Sequence, residues 1–279
     1  MKVGVIGAGT MGAGIAQTFA TAGHDVTMVD VGAPQLARGL EAIDSSLAKL
    51  EEKGKLPTRA AAIRGRIATA TDVGALGTTD LVVEAAFEDP TVKGDLFARL
   101  DTVVPKGAIL ASNTSSISID GLASRTTRPE RVAGMHFMNP VPIMELVEVV
   151  RGPRTSDETL RAIVDLAKQL GKRPVVSADR PGFIANRVLM PMINEAFLAL
   201  GEGVGTAEDI DTVMTLGMKH PIGPLRLADL IGLDVCVAIM EVLRRDLGSD
   251  KYAPAPNLRT LVKEGRLGRK SGRGVYDYA

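Results

Sequence analysis

The sequence predicts an α/β protein in two parts, a parallel sheet layered with helices over residues 1–180 and a smaller all-helical part over residues 181–279. Three observations carry that prediction. Short apolar runs alternate with helical patterns through the first part, as parallel strands and their crossover helices require. A glycine-rich turn joins the first of these runs to the first helix. After Gly182 the strand patterns stop, and the apolar residues recur at helical spacing.

The first run, Lys2-Val3-Gly4-Val5-Ile6, leads directly into Gly7-Ala8-Gly9-Thr10-Met11-Gly12, a G-x-G-x-x-G hexad set between a strand and a helix. Gly7 allows the tight turn, Gly9 lets backbone N–H groups approach a pyrophosphate, and Gly12 lets the helix pack closely on the strand. The first turn of the helix adds unpaired N–H groups and the positive end of its dipole. Met11 to Ala22 is free of proline and closes at Gly23, and His24 to Asp30 reads as a second strand ending in an acid. Asp30 stands 18 residues beyond Gly12, close to the spacing at which a carboxylate meets an adenosine ribose 2′-OH. The two halves together predict a Rossmann-type dinucleotide-binding domain. Val31 and Gly32 follow Asp30, so a 2′-phosphate would find no local arginine, and NAD is expected over NADP.

Apolar residues at 36, 40, 43, 47 and 50 mark one face of a helix from about Ala33 to Lys53, ended by Pro57. Between Lys49 and Arg66 there are six basic residues against two acidic ones, which makes either a solvated face or a seat for a phosphate-rich ligand. Leu81 to Ala85 is the next strand, followed by a helix through Leu96 and Leu100 and a strand at Ala108 to Ala111. Glu88-Asp89 and Ser112 to Ser116 leave the carboxyl ends of these strands and are expected at the cofactor crevice. Strands at Arg131–Phe137 and Glu145–Val150 flank a connection stiffened by Pro140 and Pro142. Antiparallel pairing across it would bring His136 near Glu148. A helix from Asp157 to Leu170 and a strand at Pro174–Val176 finish this part, with 177–182 as the junction.

The second part reads as helices at Ile184–Leu200, Ala207–Leu216, Leu225–Leu230, Leu233–Leu247 and Leu258–Glu264. So short a helical part holds a small core, and a face buried between subunits would account for its surplus of apolar residues. Basic and acidic residues balance at 33 each, which argues against nucleic acid as the main partner and against a polybasic membrane anchor. No apolar run is long enough to span a membrane. The fold begins at residue 2, so no leader is expected and a reducing cytoplasm is the default. The single cysteine, Cys236, sits in an apolar helix and reads as an inert buried thiol. One cysteine and three distant histidines give no metal-ligand spacing, and no metal is expected.

A redox site needs a base near the reacting carbon. His24 opens a strand and His220 precedes a proline in a loop, which leaves His136 as the candidate. A carboxylate from Glu148 on its Nδ1–H would fix the tautomer and stabilise the imidazolium formed on proton abstraction.

Several motifs in order closely resemble the L-3-hydroxyacyl-CoA dehydrogenase family. They are the glycine hexad, Ser112-Asn113-Thr114-Ser115-Ser116, His136-Phe137-Met138-Asn139-Pro140, Pro181-Gly182-Phe183-Ile184-Ala185-Asn186-Arg187 and Gly268-Arg269-Lys270-Ser271-Gly272-Arg273-Gly274. The resemblance covers the whole chain, whose length looks like that of the short bacterial 3-hydroxybutyryl-CoA dehydrogenases. It implies NAD-dependent oxidation of a short-chain (S)-3-hydroxyacyl-CoA and the reverse reduction, with His136 as general base oriented by Glu148 and with Ser115 and Asn186 hydrogen-bonding the substrate. It also carries cofactor contacts onto Asp30, Glu88, Lys93, Ser115 and Lys270, CoA contacts onto Ser46 and Lys53, and a homodimer onto the helical part. Met138 stands where the family often has a second phenylalanine, which bears on acyl preference. Gly32 and Gly39 also depart from the pattern and are expected to loosen the helical arm over CoA. Two other readings remain at this point: a relative acting on a free hydroxy acid, as in the L-gulonate dehydrogenase branch, and a non-enzymatic dinucleotide-binding protein.

Overall fold

Strands buried on both faces occupy the middle of a parallel sheet, and their sequences are correspondingly apolar without alternation. The computed structural model, which describes residues 1–278, has eight strands in its first unit, Met1–Arg180. They are β1 (Lys2–Ile6), β2 (Asp25–Val29), β3 (Ile67–Ala70), β4 (Leu81–Glu84), β5 (Ile109–Ser112), β6 (Val132–Phe137), β7 (Leu146–Arg151) and β8 (Arg173–Ala178). Their order in the sheet is β3-β2-β1-β4-β5-β6-β7-β8. Only β6 and β7 pair antiparallel. The chain therefore runs outward from β1 to β3, returns to β4 and continues the other way, which puts a topological switch point between β1 and β4.

Helices α1 (Thr10–Thr21), α2 (Ala33–Glu52), α4 (Pro90–Val103) and α6 (Asp157–Gln169) follow the expected patterns within a residue or two at most ends. Asp89 caps α4 by accepting from the N–H groups of Thr91 and Val92, both at 2.9 Å. Three short elements went unread in the sequence. In β3 only Ile67 is buried, so no apolar run marks it, and α3 (Ala60–Arg64) and α5 (Ile119–Ala123) have five residues each, too few to show a period.

The structure corrects the expectation for Gly32 and Gly39. A Cβ at Gly39 would stand 2.7 Å from the carbonyl oxygen of Ala8, so the missing side chain lets α2 press against the glycine turn. It tightens that helix on the sheet and does not loosen it. Gly32 precedes α2 as its N-cap in an ordinary extended conformation, where a Cβ would meet only the side chain of Gln35.

The second unit begins at Pro181 and consists of α7 (Ala185–Gly201), α8 (Ala207–Thr212), α9 (Pro224–Ile231), α10 (Leu233–Leu247) and α11 (Pro256–Lys263). The helix expected to run to Leu216 gives way after Thr212 to one π-helical turn, Val213–Gly217. Phe197, Leu225, Leu233, Met240, Leu243 and Leu258 fill the core. Cys236 lies among them, and burial pushes its thiol up to about 12, helped by Asp234 and Asp229. Buried Asp229 accepts from the N–H groups of Val275 and Tyr276 and from the Tyr278 hydroxyl, which stitches the C-terminal segment to α9. A Cβ at Gly274 would stand 2.0 Å from that carboxylate, so the glycine of the terminal motif is a packing requirement. Among the described residues no helix is long and apolar enough to cross a membrane.

Candidate active site

The three glycines of the β1–α1 turn have different physical duties. Gly7 has φ of +100°, and a Cβ there would lie 2.4 Å from the oxygen of Ala85. At Gly12 a Cβ would fall 1.8 Å from the oxygen of Gly7. At Gly9 nothing lies within 4 Å, so the first and third glycines close the turn while the second leaves room beside it. No side chain caps α1 at Gly9, and the N–H groups of its first turn face no competing acceptor from that residue. The open space, the uncapped helix start and the switch point together fit a pyrophosphate. Asp30, just beyond β2, accepts from the Ala8 N–H at 2.7 Å, which holds its carboxylate against the turn.

The exits of β4 and β5 meet over a buried ionic cluster. Glu84, fully buried at the end of β4, accepts from Lys93 Nζ at 2.6 Å, the Ala86 N–H at 2.7 Å and Ser112 Oγ at 2.6 Å. Lys93 also lies 3.0 Å from Glu88 Oε2. Glu88 in turn accepts from the Ser115 N–H at 3.0 Å and from the Thr114 hydroxyl. Burial works to raise the Glu88 carboxyl, but Lys93, Thr114 and Ser115 outweigh it and hold it below the usual carboxylate range. One carboxylate thus fixes the loop after β4 and the other fixes the loop after β5. Lys93, a cofactor contact by family resemblance, is 1% exposed and has its ammonium committed to these two carboxylates. Glu84 was not singled out in the sequence, and Thr114 had no role of its own within the polar segment expected at the crevice. The available signal for Glu84 was an acid ending an otherwise apolar strand.

On the next strands the antiparallel register sets His136 directly opposite Glu148. His136 Nδ1 is 3.1 Å from Glu148 Oε2, and the two residues are 8% and 2% exposed. Two further contacts steady the histidine. The Phe137 N–H donates to Asn113 Oδ1 at 2.9 Å, tying the end of β6 to the exit of β5. Lys172 donates to the carbonyls of Val141 and Met144 at 2.7 and 2.8 Å, pinning the β6–β7 connection. Burial lowers the Lys172 ammonium from its ordinary range, against the pull of Glu145.

The remaining site residues fall elsewhere. Ser46 lines a cavity of about 380 Å³ beside Gly9, Gly14, Gln17, Arg38 and Val141. Lys53 is the exposed residue at the C-terminal cap of α2. Arg64 and Arg66 pair with Asp44 and Asp25, which narrows the basic stretch to Lys49, Lys53, Lys55 and Arg59. In the second unit Asn186 is buried in the first turn of α7, and Lys270 pairs with Asp234 at 2.6 Å.

Comparison with known proteins accounts for both units. Residues 2–180 match the family profile described as 3-hydroxyacyl-CoA dehydrogenase, NAD binding domain, and residues 182–278 match 3-hydroxyacyl-CoA dehydrogenase, C-terminal domain. A probable 3-hydroxybutyryl-CoA dehydrogenase of Deinococcus radiodurans is 55% identical over the full length of both chains. The human mitochondrial hydroxyacyl-coenzyme A dehydrogenase is 44% identical over 99% of this chain and 90% of its own. Among solved structures, an (S)-3-hydroxybutyryl-CoA dehydrogenase from Ralstonia eutropha superposes with a TM-score of 0.96 at 50% identity, covering 100% of this chain and 99% of that one.

Proposed function

The chain belongs to the 3-hydroxyacyl-CoA dehydrogenase family, and from that premise we propose that this oxidoreductase interconverts short-chain (S)-3-hydroxyacyl-CoA and 3-ketoacyl-CoA with NAD, using His136 as general base and acid. The observation that carries the proposal is the buried His136–Glu148 pair, set face to face by strand register. With Nδ1 held by Glu148, proton transfer falls to Nε2. In oxidation His136 takes the proton of the 3-hydroxyl, and Glu148 stabilises the imidazolium that results. The bound dinucleotide supplies the acceptor for the hydride lost from C3. In reduction the same imidazolium returns its proton to the oxygen forming at C3. Base catalysis of this kind contributes roughly 10²–10⁴ in rate.

Ser115 and Asn186 hydrogen-bond the substrate in this mechanism. Asp30, with no arginine after it, favours NAD over NADP. Glu88 and Lys270 contact the cofactor, while Lys93 acts through Glu88. Ser46 and Lys53 hold the CoA portion, which suits the cavity beside Ser46 and the basic residues near it. The first unit binds the dinucleotide, and the helical unit serves the substrate and a homodimer. Support for the dimer comes from its exposed apolar side chains, among them Val188, Val213, Leu216 and Met218. A reducing cytoplasm suits its one buried thiol.

The test is oxidation of NADH with acetoacetyl-CoA, run beside free acetoacetate and repeated with NADPH. The expected result is turnover of the thioester with NADH, lowered at least ~100-fold by His136→Ala while NADH binding survives. Turnover of the free acid at a comparable rate would replace the CoA assignment, and unchanged kcat in His136→Ala would remove the histidine from the mechanism.

A further inference from the structure

We propose that Glu84, through the net negative charge of the cluster it forms with Lys93 and Glu88, raises the affinity of the dinucleotide site for the oxidised, cationic nicotinamide relative to the reduced one. The inference rests on the dehydrogenase mechanism above, and it assigns a role to a residue that never touches the substrate. Its basis is where the cluster lies and what charge it carries. Asp30 stands beyond β2 and the glycine turn follows β1, so a dinucleotide anchored there by adenosine and pyrophosphate extends across β4 and β5 toward β6, the strand of His136. Glu84 pairs in register with Ser112, and Ser112 with Gly134, two residues before His136. The Glu84–Lys93–Glu88 cluster therefore occupies the strand exits that lead to the base.

The cluster holds two carboxylates against one ammonium. Asp89 beside it is taken up by the α4 N–H groups, and Arg125, which packs on Gly94 of α4, is neutralised by Asp95 at 2.7 Å. A net negative charge is left, with Lys93 buried and Glu88 outermost. Oxidised and reduced cofactor share the same adenosine and pyrophosphate and differ by one positive charge on the nicotinamide. Charge near that ring alone discriminates between them, and a negative excess favours the cation.

Glu84→Gln isolates this effect because the hydrogen bonds can survive it. The amide oxygen can still accept from Lys93 and the Ala86 N–H, and the amide nitrogen can donate to Ser112 Oγ, whose hydrogen is free to rotate. The measurement is the dissociation constant of NADH by its fluorescence and of NAD by displacement of NADH, on wild type, Glu84→Gln and Glu88→Gln, with Tm recorded for each. The expected result is a fall in the ratio Kd(NADH)/Kd(NAD) of roughly tenfold in both variants, carried by weaker NAD binding, the order a partly buried unit charge produces at an effective dielectric near 20. An unchanged ratio, or equal weakening of both forms, would overturn the proposal and leave Glu84 a purely structural group. Should Glu84→Gln fail to fold, the ratio in Glu88→Gln decides whether the charge of the cluster acts on the nicotinamide, since a lost contact to the shared part of the cofactor would weaken both forms equally and leave the ratio unchanged. Failure of the wild type to bind either form would instead strike at the dehydrogenase mechanism itself.

Discussion

Replacing Glu148 with glutamine removes one charge from a position that is 2% exposed and keeps the shape of the side chain. In the proposed mechanism the base accepts its proton as a neutral imidazole, which gains little from a carboxylate 3.1 Å away. The imidazolium gains a great deal, because two unit charges about 4 Å apart at an effective dielectric near 20 attract by ~4 kcal/mol. That attraction grows only as the proton arrives, so its loss falls on kcat and spares substrate binding. With 1.36 kcal/mol to each factor of ten, and part of the attraction replaced by the amide dipole, kcat for oxidation of (S)-3-hydroxybutyryl-CoA should drop by roughly 10²–10³. The KM should stay within about threefold and the Kd for NADH should not move.

Formation of NADH under saturating substrate, with Tm as a check on folding, reads this directly. A second measurement tests whether the two residues act as a unit. In a His136→Ala background the base is already gone, so adding Glu148→Gln should cost less than about threefold more. A folded Glu148→Gln enzyme with kcat within about fivefold of wild type would refute the reasoning, as would full additivity in the double variant.

Three further outcomes follow from the geometry. Asp30→Ala removes the acceptor of the Ala8 N–H and the group proposed to meet the adenosine ribose, and the ratio of kcat/KM for NADH over NADPH should fall at least about tenfold; an unchanged ratio would take cofactor choice away from Asp30. Gly39→Ala puts a Cβ 2.7 Å from the backbone oxygen of Ala8, so α2 must shift at a cost of about 1–3 kcal/mol. A Tm lowered by roughly 3–10 °C is expected, and a Tm equal to wild type would show that the close approach is not needed. For Asp101, burial works to raise the carboxyl, but the hydroxyl and N–H of Thr127 and the Arg128 guanidinium outweigh it and hold it below the ordinary range. Its stabilisation is therefore full above about pH 4 and lost as pH falls through the depressed folded value. Asp101→Asn should lower Tm at pH 7 by leaving buried Arg128 unpaired, and should flatten the loss of stability below about pH 4; Tm–pH curves parallel to wild type would exclude Asp101 from the acid transition.

What could be read in the sequence followed from how deeply each segment is buried. Strands β1, β4 and β6 lie within the sheet, and their largely apolar sequences announced them. Edge strand β3 buries only Ile67 and sends no such signal. The His136–Glu148 pair could be anticipated because antiparallel register turns a stiff connection into one specific pairing. Depth within a cluster is different. Lys93 sits nine residues after Glu84, past a loop and onto a helix, and nothing in that spacing says that its ammonium ends under Glu88. Gly39 gives the same lesson for packing, since a missing side chain inside a helix reads as looseness until the backbone beyond it is known.

The supports of His136, the proposed base, lie in the sheet and not in the loops around it. His136 stands on β6, and its strand end is tied backward to Asn113 at the exit of β5 and forward to Glu148 on β7. The β6–β7 connection is pinned by Lys172 from the turn before β8. Each tie runs between neighbouring strands or their ends, so the imidazole is fixed by the sheet, and side chains on regular elements hold a catalytic geometry more closely than side chains on loops. The residues proposed for CoA have no comparable frame. Lys53 caps the exposed end of α2, where a long side chain can follow a phosphate but cannot orient a reacting carbon. Substitutions among the exposed basic residues should therefore act on affinity for the CoA portion, and substitutions in the Asn113–His136–Glu148 frame on the chemical step.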